Sequence, residues 1–377
     1  MKILIIGPAN PYRGGIAALN ERLALQLIDE GHIVDIANFK VQYPGFLFPG
    51  KTQYTTTQPD KRLKIERFIH SMNPLNWLKV GLLLKKRNYD LVIVRFWLPL
   101  MGPSTGTVCK IIRKNKKTKI IALVDNILPH EKRIGDKQFT QYFINQTDGL
   151  IAMSACVFTD LDYFRKGQIK RFTPHPIYDH YGKLISKNEA LEKLNLNPEI
   201  NYLLFFGFIR DYKGLDLLLE SLTDEQIQPL NIKLLVAGEF YGNEEKYHQL
   251  VAHLGLKEKV IFFSNYIPDE EVNQYFCASS LVVQPYKTAT QSGVTQIGYH
   301  FNKPMLVTNV GGLSEIIENG KCGYVVDPNS ASIANAIADY FIQSRENEMT
   351  KEVMKAKEKF TWNKLTQTIF EINNLCS

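Results

Sequence analysis

The chain has 377 residues, 45% of them hydrophobic and 22% charged, a balance that excludes a disordered or fibrous protein and suggests about two domains. The formal charge of +7 is unevenly placed: residues 1–180 hold 27 Lys and Arg against 14 Asp and Glu, net +13, while the remainder is net −6. Such asymmetry signals an anionic partner, nucleic acid or an anionic membrane surface.

Met1-Lys2 leads directly into Ile3–Gly7, which is too short for a signal-peptide core and reads as a first strand. Strand-like runs follow at Ile33–Ala37, Leu91–Arg95, Lys119–Leu123, Leu150–Met153 and Arg171–Thr173. Helical patterns lie between them at Ile16–Ile28, Thr105–Arg113, Lys137–Asn145 and Ala155–Lys166. The alternation implies parallel sheets of βαβ units. Residues 39–76 interrupt it and read as a long loop.

After Pro174-His175-Pro176 and the polar segment Lys183–Asn197, read as an interdomain hinge, the series restarts. Strands are expected at Tyr202–Phe206, Lys233–Ala237, Val260–Phe263, Leu281–Gln284, Met305–Thr308 and Gly323–Val326. Helices are expected at Leu215–Leu222, Glu244–Leu254, Asp269–Phe276, Val294–Phe301 and Ile333–Gln343, with two more across Asn347–Asn374. The architectural expectation is two Rossmann-like α/β domains in tandem.

No run approaches the ~18 apolar residues of a membrane span. The five cysteines, Cys109, Cys156, Cys277, Cys322 and Cys376, form no C-x-x-C pair, so neither a disulfide framework nor a zinc site is expected, and a reducing cytoplasm is the expected compartment. Asp160-Leu161-Asp162 spells D-x-D inside a helical pattern, where i and i+2 do not share a face, so no metal site is read there.

Three loops carry chemistry. Gly7–Gly15 joins the first strand to the first helix, and Gly14 and Gly15 would let an anionic ligand approach the helix N-terminus; its bland alternative is a glycine-capped turn. Phe205–Gly214 places Gly207, Arg210 and Lys213 at the carboxyl end of a parallel strand, where α/β sheets bind ligands. Two cations there suit a diphosphate, against a bland reading as a solvated loop. Gln284–Gln296 brings Gln291, Ser292, Gly293, Val294, Thr295 and Gln296 to a helix start whose backbone N–H groups suit phosphate oxygens; ordinary N-capping is the alternative.

These loops, with Val310–Glu315 and Gly320–Pro328, resemble the group 1 (family 4) glycosyltransferases of the GT-B fold. The resemblance implies two Rossmann-like domains facing a cleft, with a C-terminal helix crossing back to the first. It implies an acceptor-binding domain at 1–178, a nucleotide-sugar-binding domain at 179–355 and a returning helix at 356–377. Lys213 matches the family's diphosphate-binding lysine.

Phe208 occupies the usual arginine position and Arg210 lies two residues on. The family's two glutamates, E-x7-E, are absent; Gln291 and Gln296 are the residues long enough to substitute. At the end of a first-domain strand, Asp125 stands where the family often has histidine, and Asp125, Asn126 and His130 are candidates to reach sugar or acceptor. Tyr266 and Ile267 mark the expected base-binding region.

The implied activity is a retaining, metal-independent hexosyl transfer from a nucleotide-diphosphate sugar to a glycan or lipid-linked acceptor in surface polysaccharide or lipopolysaccharide synthesis. No cofactor beyond that co-substrate is expected, and no nucleic acid. The expected location is cytoplasmic, peripheral on the inner membrane face, through basic stretches such as Lys85-Lys86-Arg87 interleaved with leucines. Two other classes are open at this point: a non-hydrolysing sugar-nucleotide epimerase of the same fold, and a basic nucleic-acid-binding protein.

Overall fold

A computed structural model describes the chain except residues 44–52, 56–57, 129–134, 165–166, 180, 290–291 and 377. The described residues divide into two compact units, Met1–His175 with Thr361–Ser377, and Pro176–Phe360.

Seven parallel strands form the sheet of the first unit: β1 (Lys2–Ile6), β2 (Ile33–Val41), β3 (Lys64–His70), β4 (Leu91–Phe96), β5 (Lys119–Val124), β6 (Gly149–Ala152) and β7 (Ile169–Phe172), in the order β3-β2-β1-β4-β5-β6-β7. Its helices are α1 (Gly15–Asp29), α2 (Pro74–Lys86), α3 (Gly102–Ile112), α4 (Asp136–Ile144) and α5 (Ala155–Asp160). The central strands are apolar throughout because both faces are covered: every residue of β4 is buried.

Two local expectations are corrected. Residues 39–76 are not a single loop, since they contain the edge strand β3 and the start of α2. The sequence Lys-Ile-Glu-Arg-Phe-Ile-His hides this strand because its charged residues sit at a sheet edge. Lys64 reaches Asp35 at 3.0 Å, and Glu66 binds Arg87. The polar hinge segment also contains a short helix, α6 (Lys187–Lys193), N-capped by Ser186.

The second unit has a six-stranded parallel sheet: β8 (Asn201–Phe206), β9 (Ile232–Ala237), β10 (Val260–Phe263), β11 (Leu281–Gln284), β12 (Met305–Thr308) and β13 (Gly323–Val326), ordered β10-β9-β8-β11-β12-β13. Helices α7 (Leu215–Ser221), α8 (Glu245–His253), α9 (Val272–Ala278), α10 (Gly293–His300), α11 (Ser330–Ile342) and α12 (Glu346–Ala356) accompany it. Strand order reverses between β8 and β11, the switch point where such sheets bind ligands beyond their carboxyl ends.

The last helix, α13 (Trp362–Leu375), belongs to the first unit, where it packs on α1, β5, β6 and β7. Its fit is close. A β-carbon on Gly149 would lie 2.2 Å from Ile372 Cγ2. Thr366 Oγ1 donates to Glu30 at 2.7 Å, and the Arg22 guanidinium lies 5.1 Å from the Trp362 ring centroid. Two Rossmann-like units with this returning helix constitute the GT-B architecture.

Candidate active site

In the second unit the chain leaves β8 through Gly207, whose N–H donates to Ala237 O at 2.9 Å and whose φ of +97° suits glycine. Phe208-Ile209-Arg210 then runs beside Glu239-Phe240-Tyr241, tied by Ile209 N–H to Glu239 O and Tyr241 N–H to Ile209 O, both 2.9 Å. A 3-10 turn, Asp211–Lys213, folds the segment back and ends at Gly214, φ +71°.

This fold-back buries Lys213, which is 8% exposed. Its Nζ lies 3.1 Å from where a Gly207 β-carbon would stand and 5.4 Å from the Tyr286 ring centroid. Among the described residues the Lys213 ammonium has neither a hydrogen-bond acceptor nor a carboxylate. Burial pushes its pKa down to about 8, with Tyr212 acting against the shift and the charge of Arg210 adding to it.

The nearby acids are taken by other groups. Asp211 accepts from Lys246 at 3.1 Å and Tyr247 at 2.9 Å, which hold its carboxyl below the usual range, and Asp216 pairs with Lys287. The Arg210 guanidinium lies 4.9 Å from the Tyr241 ring centroid. Among the described residues Lys213 is therefore a positive charge without a carboxylate of its own, with a second cation, Arg210, close by.

The N-terminus of α10 completes this site. Val294 Cγ2 is 3.8 Å from the position of a Gly207 β-carbon. Ser292 caps the helix by accepting from Val294 N–H at 3.2 Å, and its hydroxyl also lies 3.2 Å from Tyr286 Oη. Thr295 and Gln296 are fully buried, so their side chains belong to the interior; neither amide atom of Gln296 has a partner among the described residues. Gln291 lies outside the described residues. Backbone N–H groups at Gly293 and beyond are what this helix end offers an anion.

Tyr178 also defines this helix end, because a Gly293 β-carbon would meet its ring at 2.7 Å. No motif in the sequence marks Tyr178. The expected base region is adjacent: Tyr266 is exposed, Ile267 is buried, and Phe208 stands between Tyr241 (4.6 Å between centroids) and Tyr266 (6.5 Å). An aromatic row thus runs from Tyr266 toward Arg210 and Lys213.

In the first unit, Gly14 N-caps α1 with φ +113°, and Gly15 is the first helical residue. Gly7 is needed for close approach, since its β-carbon would lie 2.5 Å from Asn20 Nδ2 and 3.1 Å from Arg95 Cβ. Asp125, at the end of β5, is largely but not fully buried, and it is engaged. Its carboxylate accepts from Nε and Nη2 of the fully buried Arg95, and His175 Nε2 lies 3.5 Å away.

Burial raises the Asp125 pKa, but Arg95 and His175 outweigh it and hold the carboxyl below its ordinary value. Asn126 follows, half-buried, and His130 lies outside the described residues. Arg95 and His175 were not among the sequence candidates. The signal for Arg95 was present, as the single charge closing the apolar run Leu-Val-Ile-Val-Arg-Phe.

Asp160 and Asp162 do not converge: Asp162 pairs with Lys170 at 2.7 Å. Among the described residues no three His, Cys, Asp or Glu side chains cluster as a metal site would require, and no helix is long and apolar enough to cross a membrane.

Comparison with known proteins bears on the fold and on the second half of the chain. Residues 186–359 match the model of the glycosyl transferases group 1 family. An uncharacterized glycosyltransferase of Methanocaldococcus jannaschii is 22% identical over 99% of this chain and 97% of its own. Sucrose-phosphate synthase from Thermosynechococcus elongatus superposes with a TM-score of 0.76 at 16% identity, covering 100% of this chain and 99% of that one. Anabaena HepE, solved with UDP and glucose, superposes with a TM-score of 0.70 at 17% identity over 98% of both chains. The family match thus covers residues 186–359, and the whole chain shares the fold of these solved structures.

Proposed function

We propose that the protein is a retaining glycosyltransferase of the group 1 (family 4) type, moving a hexosyl group from a nucleotide-diphosphate sugar to a glycan or lipid-linked acceptor in cytoplasmic assembly of a surface polysaccharide or lipopolysaccharide. The observation that carries this reading is Lys213, a buried ammonium without a counter-ion beside Gly207 and the N-terminus of α10. Removing such a charge from most of its water is costly unless an anion arrives to pair with it.

A diphosphate of the donor fills that role. Lys213 and Arg210 hold its oxygens, and the α10 backbone supplies N–H donors. In the reaction, the bond between the anomeric carbon and the diphosphate oxygen breaks as the acceptor oxygen bonds that carbon from the same face. The acceptor's hydroxyl proton passes to the departing diphosphate. Charge develops on the leaving group, where preorganised cations contribute most. No metal enters this scheme. The base lies along Tyr266, Ile267 and Phe208, and the acceptor is taken by the first unit near Gly14, Gly15, Asp125, Asn126 and His130.

The test is a thermal-shift titration with UDP, GDP and ADP on wild type and Lys213→Ala, followed by product analysis with and without acceptor. One diphosphate should stabilise wild type by about 2.7 kcal/mol at ~100 times its Kd. The Lys213→Ala variant should lose most of that shift. Equal shifts in both proteins would refute the diphosphate site, and donor turnover without any acceptor would make the enzyme an epimerase.

A further inference from the structure

The exposed side of α2 is apolar where a surface helix should be polar. Met72, Leu75, Leu78, Leu82 and Leu83 are each 40–78% exposed. Residues 75, 78 and 82 follow the i, i+3, i+7 spacing of a single stripe. The core-facing side of the same helix is already occupied: Val80, Gly81 and Leu84 are buried, and a Gly81 β-carbon would lie 2.7 Å from Ile111 of α3. The leucines of the outer stripe are therefore not needed for packing within the unit.

Lysines accompany the stripe. Lys79 and Lys86 are exposed on α2, and Lys110, Lys114, Lys116 and Lys117 are exposed on α3 and the turn after it, which packs beside α2. None of these six pairs with a carboxylate among the described residues. Four other cations of the first unit are neutralised: Arg62 by Asp60 and Asp29, Lys64 by Asp35, Arg87 by Glu66, and Arg113 by Asp148. Six lysines unpaired among the described residues thus lie on and beside the helix that carries the apolar stripe.

We propose that α2 and the adjoining segment 110–117 form a docking surface for an anionic lipid bilayer. The leucines enter the headgroup–acyl boundary, and the lysines reach the phosphates while their stems cover apolar surface. An acidic protein partner would satisfy the lysines but would not require an exposed patch of five large apolar side chains beside them. The surface lies in the first unit and shares no residue with the diphosphate site, so lipid docking and donor binding stand or fall separately.

The experiment is co-sedimentation with phosphatidylcholine vesicles with and without phosphatidylglycerol, over a salt series. Wild type should sediment with the anionic vesicles only, and binding should weaken with salt; each lysine engaged contributes about a fivefold factor at low salt. The triple variant Leu75→Ser, Leu78→Ser, Leu82→Ser should lower partitioning by about 100-fold. Lys79→Glu, Lys86→Glu, Lys116→Glu and Lys117→Glu together should abolish it, with melting temperature and nucleotide shift unchanged in both variants. Wild type that ignores anionic vesicles overturns the proposal, as does full binding by the leucine variant. Concentration-dependent dimerisation abolished by the leucine substitutions, without vesicle binding, would assign the face to a second copy and overturn it too.

Discussion

Gly214 and Pro285 touch so closely that a β-carbon on Gly214 would stand 1.9 Å from the Pro285 carbonyl oxygen. This contact locks the loop carrying Arg210 and Lys213 onto the segment that leads toward α10. Lys287 N–H donating to Tyr212 O at 2.7 Å secures the same junction. The loop ending at Gly214 is therefore packed directly against Pro285–Lys287, where the second phosphate-type loop begins.

Gly214→Ala should consequently disturb both loops at once. It places a side chain at φ +71° and against backbone, so a loss of about 2–4 kcal/mol is expected. Denaturant unfolding measures the loss, and the nucleotide shift should fall with it. Wild-type stability would show that the loops can separate without cost.

Lys213 should make donor binding depend on pH with a definite sign. Its folded pKa, about 8, lies below the ordinary lysine value of 10.5, so the charge needed for the diphosphate is lost as pH rises through 8. Affinity should fall above that point, approaching tenfold per pH unit, and Lys213→Arg should flatten the profile. In the free protein the linkage runs the other way. Between the folded and unfolded pKa values the unfolded chain binds more protons, so stability rises with pH there. Lys213→Met should therefore raise the melting temperature of the free protein at neutral pH while removing the nucleotide shift. Lower stability in that variant would contradict a buried, unpaired charge.

Asp125 is held by Arg95, and the pair predicts its own mutant series. Asp125→Ala leaves the buried guanidinium uncompensated and should cost about 3–5 kcal/mol. Arg95→Met combined with Asp125→Leu should recover much of that loss, with nucleotide affinity intact because the diphosphate site lies in the other unit. Because the folded pKa of Asp125 is depressed, its stabilising contribution is present above the unfolded value and disappears as pH falls through the folded one. Urea unfolding from neutral to acid pH, in wild type and the double variant, tests this.

Docking of α13 on the first unit depends on Gly149. Gly149→Ala forces its methyl into Ile372 and should destabilise by about 1–3 kcal/mol. Ile372→Ala creates a cavity alone but should relieve the clash in combination, giving a double-mutant coupling of about 0.5–3 kcal/mol. Additive losses would show that the two side chains do not meet.

Most strands were legible because each is a short apolar run bounded by polar turns, and burial on both sheet faces demands that composition; β7, Ile-Lys-Arg-Phe at the other edge, is the partly exposed exception. The strand-end loop with Gly207, Arg210 and Lys213 was legible for a related reason, as glycine and cations placed directly after a strand are visible in one dimension. The edge strand Lys64–His70 was not legible, because its charges are satisfied by Asp35 and Arg87 from elements distant in sequence.

What the tertiary structure alone decided is the state of each charge. Arg210 and Lys213 look alike in the sequence, yet the fold-back at Gly214 buries one of them without a counter-ion. Asp125 reads as a free strand-end carboxylate until β4 brings Arg95 against it, and Lys85-Lys86-Arg87 reads as one basic cluster until Glu66 takes Arg87 out of it. Sequence sets where apolar and charged groups occur along the chain. Which charges are paired, which are dry and which face solvent depends on contacts between residues far apart, and those exist only once the sheets have assembled.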